Sequence, residues 1–479
     1  MNSVITYLLF FSVYTIVLLF WGKSGFKKTN TIRDFCVADN SLGIFTSIFT
    51  FTATWFSAVS MQSVTGSVYM FGYSTILYSV VGWFLGASCL VFVAYKIRES
   101  NILTIPEYFR IRYGSPAYQA FGGVIIVICY ILYIIIQIKG FGLVVSELLD
   151  IDYKIAILMI YLFVVYTSFG GLFSVARTDS MNFIVVFAGI AIAAVYIIND
   201  IGSFTLMNEK ASALSDGALL DLSSNNLFSP FMIFSTSLAW GLGTAANPQY
   251  IIRIVSAKSK RSGINMICLS VIAMAFLYFG LMIIGIGSRV MQPDVSQIGS
   301  PDEVLSYFIE NSIHSSLSGF IFISIIAAAI STANSQLLLM AGSFSYDIYM
   351  NVFHKDLSEE KFLGLARIII FATGTVSLLL SINPPDSLLL FGSYVWTLFA
   401  VSFLFPLYGG LYWKKATLHG AAASSAAGIL SAVAFYFIDQ NTSYENIVHP
   451  VLPGMIIAFI VFYSVSVMTY KTRGNVDEI

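Results

Sequence analysis

The sequence predicts an all-helical protein that crosses a membrane many times. Three observations carry this. Of 479 residues, 57% are hydrophobic and only 10% charged, where an ordinary soluble domain carries about 25% charged residues. Mean hydropathy is +0.83. Thirteen apolar stretches reach the roughly 20 residues that a bilayer requires: about 3–22, 44–71, 75–96, 117–148, 154–170, 179–198, 229–254, 262–288, 317–346, 361–381, 388–412, 417–438 and 450–470. A net charge of -1 gives no basic character that would attract nucleic acid. Cys36, Cys89, Cys129 and Cys268 lack metal-ligand spacing and read as apolar fillers rather than a disulfide framework. The opening MNSVITYLLF has no basic n-region and no small-residue cleavage site, so it reads as a first span, not a removed signal.

Lysine and arginine set the expected orientation. With the N-terminus outside, the inner loops hold Lys23, Lys27, Lys28 and Arg33; Lys96, Arg98, Arg110 and Arg112; Arg177; Arg253, Lys258, Lys260 and Arg261; Lys355, Lys361 and Arg367; Lys414 and Lys415; Lys471 and Arg473. Only Lys154, Lys210 and Arg289 then fall outside, and Lys139 within a span. Such asymmetry is the positive-inside pattern, and it places the C-terminus inside. In the outer connections, Ser300-Pro301-Asp302-Glu303 reads as a capped helix start. Val304, Leu305, Phe308 and Ile309 form its apolar face, a surface element suited to a lid. The sequon Asn441-Thr442-Ser443 is a chance three-residue match.

Spans two to six and seven to eleven read as two related halves. Each begins with an apolar segment interrupted by small and polar residues, Thr52–Tyr69 and Ser235–Tyr250, and each has a long third helix. Five spans per half is odd, so the second half inserts upside down. Inverted repeats with broken first helices mark secondary transporters built around a midplane site.

One face in the ninth span carries candidate chemistry. Ala328, Ser331, Thr332 and Ser335 fall at i, i+3, i+4 and i+7 of a helix, so they share a side. Small residues at this spacing also make ordinary helix-packing seams. In the second span, Ala53–Ser57 is a candidate unwound stretch. The carbonyls of Ala53, Phe56 and Ala328 with the hydroxyls of Ser331 and Thr332 would give five hard oxygens and no formal charge. That set suits a sodium ion that must be released each cycle.

Here the sequence resembles the sodium:solute symporters. Ile325–Tyr349, IIAAAISTANSQLLLMAGSFSYDIY, is similar to their signature with its Ala-x-x-Ser-Thr ion motif. Thr104–Gly114 and Tyr166–Val185 resemble further family segments. Trp240–Ser259 is similar to the proline/sodium branch, and Asn383–Phe391 and Leu404–Ala421 to the pantothenate branch. The resemblance implies a LeuT-type 5+5 inverted repeat with extra spans at both ends. The expected division is 1–43, an extra helix and inner loop; 44–200, the first repeat; 201–228, an outer loop; 229–412, the second repeat; and 413–479, two C-terminal helices and a tail. It implies a main sodium site at Ala53, Phe56, Ala328, Ser331 and Thr332. It also implies a possible second sodium at Asp179, Ser331, Asn334 and Ser335, where Asn334 departs from the usual hydroxyl. The implied activity is sodium-coupled import of a small organic solute (pantothenate, sialic acid, a monocarboxylate or an amino acid) through the cell membrane, the inner one in a Gram-negative cell. The implied cofactor is Na+, and the lipid bilayer is the surrounding partner, with no nucleic acid and no obligate protein partner.

Individual residues keep two readings each. Asp179, opening span six, is an ion or gating group, or a helix cap. Lys139 lies about ten residues, or about 15 Å, from the outer end of span four. It is a counter-charge for a substrate carboxylate, or a structural or snorkelling lysine. Thr54, Ser57, Ser60, Gln62, Gln137 and Trp240 line the interrupted segments as candidate solute contacts, and Trp240 is equally suited to apolar packing. Rival functions are proton coupling, which would need a titratable group in the cage, and a nutrient-sensing receptor. An enzyme would need a catalytic cluster, whereas His314, His354, His419 and His449 all sit at or near span ends.

Overall fold

The computed structural model describes residues 3–98, 100–223, 229–313, 316–353, 356–385, 387–441 and 448–470. His314, His354, Lys355, Lys471, Arg473 and Thr442-Ser443 of the sequon lie outside them. Among the described residues every named element is helical, with one isolated bridge between Leu42 and Ala257. The main helices are α1 (Ser3–Phe26), α2 (Ile44–Trp55), α3 (Val59–Phe71), α4 (Ile76–Ile97), α5 (Pro116–Leu149), α6 (Tyr153–Ser168), α7 (Gly171–Ile201), α8 (Pro230–Ala246), α9 (Pro248–Ser256), α10 (Lys260–Met291), α11 (Val304–Ser312), α12 (Leu317–Phe353), α13 (Glu359–Leu380), α14 (Leu388–Tyr412), α15 (Leu418–Ile438) and α16 (Val451–Thr469). Ten are long and apolar enough to cross a bilayer, and α2 with α3, bent by 61°, make up to eleven. The two other expected spans differ for clear reasons. α6 has only 16 residues, and the stretch 229–254 is divided at Asn247, whose extended backbone (φ -78, ψ 125) separates α8 from α9.

Local sequence explains the helix starts. Ser115, Ser229 and Asn247 each stand before a proline and accept a backbone N–H two or three residues on. The hydroxyl or amide satisfies a donor that the first turn leaves free, and proline gives up none that the helix needs. Ser300 does the same for the turn Pro301–Glu303, which runs into α11. Val304, Leu305, Phe308 and Ile309 are all buried there, so the expected apolar face is packed down rather than lying on the surface.

α12 packs along α7 and α5, and α1 covers α7 and α12. α8 sits between α4 and α14, while α15 and α16 pair with each other against α14. Glycine makes the α4–α8 seam close. A Cβ at Gly82 would stand 2.0 Å from the Ser237 carbonyl oxygen, and one at Gly86 2.4 Å from that of Gly241. Close backbone approach of this kind is how helices associate where no hydrophobic effect drives them together.

Candidate functional site

α2 ends inside the protein. Phe56 turns to φ -84, ψ 110, and the last helical carbonyls lose their partners, as at any helix C-terminus. The Phe56 N–H still donates to Thr52 O at 2.9 Å. Hydroxyls from α12 meet the carbonyls beyond it. Ser331 Oγ lies 2.9 Å from Ala53 O and 3.0 Å from Ala328 O. Thr332 Oγ1 lies 3.3 Å from Thr54 O and 3.5 Å from Phe56 O. The carbonyls of Ala53, Phe56 and Ala328 and the hydroxyls of Ser331 and Thr332 therefore converge, in a region where all five residues are at most 3% exposed. The expected unwound stretch Ala53–Ser57 is shorter than the sequence implies. Ala53–Trp55 remain helical, and the break is confined to Phe56 and Ser57. A helix end frees its carbonyls without unwinding, and the Thr54 carbonyl joins the set as a result.

Around Asp179 the arrangement departs from expectation. Asp179 does not open its helix. α7 begins at Gly171, which removes the capping reading. Asp179 is fully buried and accepts from Thr50 Oγ1 at 2.6 Å and from Arg253 Nη2 at 3.3 Å. Arg253, placed by sequence in an inner loop, is 1% exposed because the chain breaks at Asn247 and turns α9 inward. Its Nη2 also donates to Ser335 Oγ at 2.5 Å. A guanidinium thus stands between Asp179 and Ser335. The Asn334 amide oxygen accepts from Thr167 Oγ1 at 2.7 Å, on α6. Ser331 alone of the four expected second-site residues faces the main cage.

The expected solute contacts cluster beside the break, all at most 2% exposed. Gln137 Oε1 accepts from the Ala58 N–H at 3.1 Å, and Gln62 Nε2 donates to Gly140 O at 2.6 Å. Ser60 Oγ is 3.0 Å from Tyr278 OH. The Trp240 ring lies 4.9 Å from Trp83 and 5.8 Å from Trp396, and Tyr278 stacks on Trp83 at 5.1 Å. Among the described residues, Thr54 Oγ1, Gln62 Oε1, Gln137 Nε2 and Trp240 Nε1 have no hydrogen-bond partner. Buried polar atoms are normally paired, so this group offers both donors and acceptors to a bound molecule. Sequence reasoning missed Trp83, Tyr133, Tyr278 and Trp396, since nothing separates them from other aromatics in a chain that is 15% aromatic. It also missed Gln249, whose Nε2 reaches Thr54 O at 3.3 Å. Gln249 and Arg253 at i and i+4 of a short apolar helix were the available signal.

Lys139 adjoins Gly140, the partner of Gln62, but has partners of its own. Its Nζ lies 3.2 Å from Asp302 Oδ2 and donates to Pro385 O at 2.9 Å. Its charge is thus matched by a carboxylate of the protein itself.

Comparison with known proteins fits this arrangement. The model of the sodium:solute symporter family matches residues 35–428. The chain is 26% identical to the osmoregulated proline transporter OpuE of Bacillus subtilis (strain 168), over 96% of this chain and 94% of that protein. It is 25% identical to the sodium/proline symporter of Staphylococcus aureus (strain USA300), over 97% and 93%. Its fold is similar to a solved Na+-coupled sialic acid symporter in a substrate-bound outward-open state, with a TM-score of 0.81, 18% identity, and coverage of 97% and 98%. With a matching family model over most of its length and the same helical fold, the chain belongs to the sodium:solute symporter family.

Proposed function

We propose that this protein imports proline or a closely similar small amino acid together with one sodium ion. Family membership makes it a sodium-coupled, multi-pass membrane symporter of a small solute and not an enzyme. The solute assignment draws on the proline transporters to which it is similar along nearly its whole length. One observation carries the ion assignment. Ser331 and Thr332 of α12 reach the carbonyls of Ala53, Thr54 and Phe56 at the end of α2. These are neutral, dry oxygens from two separate helices, the donor type that a hard monovalent cation takes.

In this reading sodium draws α12 against the broken α2, and the ordered break then presents Ser57, Ser60 and Gln62 to the solute. Binding of both favours a closed form, and the bundle rocks to release them on the other side. The N-terminus lies outside and the C-terminus inside, with thirteen crossings arranged as the inverted repeat 44–200 and 229–412. Arg253, whose charge sits between Asp179 and Ser335, supports one sodium rather than two. Proton coupling is disfavoured because the cage itself holds no titratable side chain.

Uptake of labelled proline into proteoliposomes, driven by an imposed sodium gradient, tests the reading. Transport should collapse when sodium is replaced by potassium or choline. Persistence in choline would sink sodium coupling, and sodium-driven uptake of pantothenate, sialic acid or a monocarboxylate but not of proline would sink the solute assignment.

A further inference from the structure

We propose that Lys139 and Asp302 form a latch that holds the transport path shut on the face carrying Pro301–Ser312. By this the pair sets how the carrier divides its time between its two faces. The inference rests on the carrier reading above, but not on which solute is carried.

Asp302 is 1% exposed and Lys139 7%. The carboxylate joins elements that are distant in sequence. Its Oδ2 accepts from Lys139 Nζ at 3.2 Å on α5 and from the Leu388 N–H at 3.1 Å in the first turn of α14. Its Oδ1 accepts from Ser63 Oγ at 2.5 Å on α3. A helix N-terminus favours an anion, so Leu388 adds a dipole to the bond. One residue along, Gln62 and Gly140 tie α3 to α5 again. Gly66 brings α3 so close to the Pro301 carbonyl that a Cβ would stand 1.7 Å from its oxygen. Ser306 of α11 also donates to Glu147 of α5.

α3 is therefore the part under the latch. It begins at Val59, three residues past the cage carbonyl of Phe56, and Ser63 lies just beyond the solute contacts Ser57, Ser60 and Gln62. Any opening of the solute site on this face must carry α3 away from α5 and from the Pro301–Glu303 turn. That movement separates Asp302 from Ser63 and exposes both charges to water.

The energetics suit a latch rather than a permanent staple. A buried ion pair loses most of its Coulomb gain to desolvation, so closed and rehydrated forms are near balance. Removing one partner leaves the other charge buried and uncompensated, which penalises only the closed form. Breaking the pair should therefore shift the population toward opening on this face.

The test uses full-length protein with Cys36, Cys89, Cys129 and Cys268 replaced and a single reporter cysteine at Ser67 on α3. A membrane-impermeant maleimide is applied to right-side-out and to inside-out vesicles. Asp302→Asn and Lys139→Gln should each raise the labelling rate severalfold from the outside and lower the sodium concentration giving half-maximal uptake. The double variant should open no further than the stronger single one, as for two groups acting through one contact. Ser63→Ala keeps both charges, so it guards against misfolding, and it should shift labelling the same way by less. Unchanged labelling in folded Asp302→Asn and Ser63→Ala, or additive effects of Lys139→Gln and Asp302→Asn, would overturn the latch. Increased labelling from the inside instead would keep the latch and reverse the assigned orientation. Loss of sodium-driven uptake in the reporter protein, with the labelling shift intact, would fault the carrier reading alone.

Discussion

Ser331 and Thr332 each approach two carbonyl oxygens, and this double contact makes them the most informative residues to change. A hydroxyl bound to a charged partner contributes about 1.5–3 kcal/mol. Ser331→Ala or Thr332→Ala should then raise the half-saturating sodium concentration by about 10- to 100-fold, read from the sodium dependence of uptake. An unchanged value would remove the hydroxyl from the cage. Arg253 and Asp179 invite the opposite kind of experiment. Arg253→Gln leaves a carboxylate buried without its cation, which costs about 3–5 kcal/mol of stability. Adding Asp179→Asn should recover most of that loss, measured as thermal unfolding of purified protein. If the double variant were no better than the single one, the pair would not be coupled. That the oxygens of the proposed cage converge was legible in the sequence because their residues share one helix face and one interrupted segment. Arg253 was hidden because its charge resembles that of any basic residue near a span end until the break at Asn247 turns it inward.

At the scale of helices, the breaks matter as much as the lengths. The small and polar interruptions in Thr52–Tyr69 and Ser235–Tyr250 marked both broken helices, and the actual breaks fall at Phe56–Ser57 and Asn247. The exact positions were not legible. A break is settled by which neighbour accepts the freed backbone groups, and the partners lie far away in sequence, such as Ser331 for Ala53. The same holds for Lys139, whose partner Asp302 is 163 positions distant. Glycine separates two sorts of helix position. Gly86→Val drives new atoms into Gly241 and Thr244, and overpacking of this kind costs about 1–3 kcal/mol. A Cβ at Gly364 on α13 meets nothing within 4 Å, so Gly364→Ala should be neutral or gain up to about 1 kcal/mol of helix propensity. Equal melting temperatures for the two variants would contradict the close α4–α8 seam.

Across the whole molecule, His449 joins the C-terminal pair of helices to the core. Its Nε2 lies 2.9 Å from Ser393 Oγ on α14, its backbone N–H donates to Ser235 Oγ on α8, and its ring stacks on Tyr394 at 4.9 Å. Burial pushes the imidazole down to about 3, so the folded protein holds it neutral. The unfolded chain takes up a proton near pH 6.5 while the folded chain does not. Stability from this group is complete above about pH 6.5 and falls as the pH drops toward 3, by about 1.4 kcal/mol per unit. His449→Asn should flatten that part of the pH profile of unfolding, and an identical slope would show that the loss arises elsewhere. The proposed sodium cage also bears on the charge that is carried. Its ligands are carbonyls and hydroxyls without formal charge, and the nearby Asp179 and Lys139 are each matched by an opposite partner. The positive charge of a sodium ion bound there, as proposed, would therefore not be neutralised at the cage. With one sodium and a zwitterionic solute, as proposed above, the loaded carrier moves one net charge across the bilayer. The membrane potential then acts on the inward step, worth about 2.3 kcal/mol per 100 mV, and transport should register as an inward electrical current.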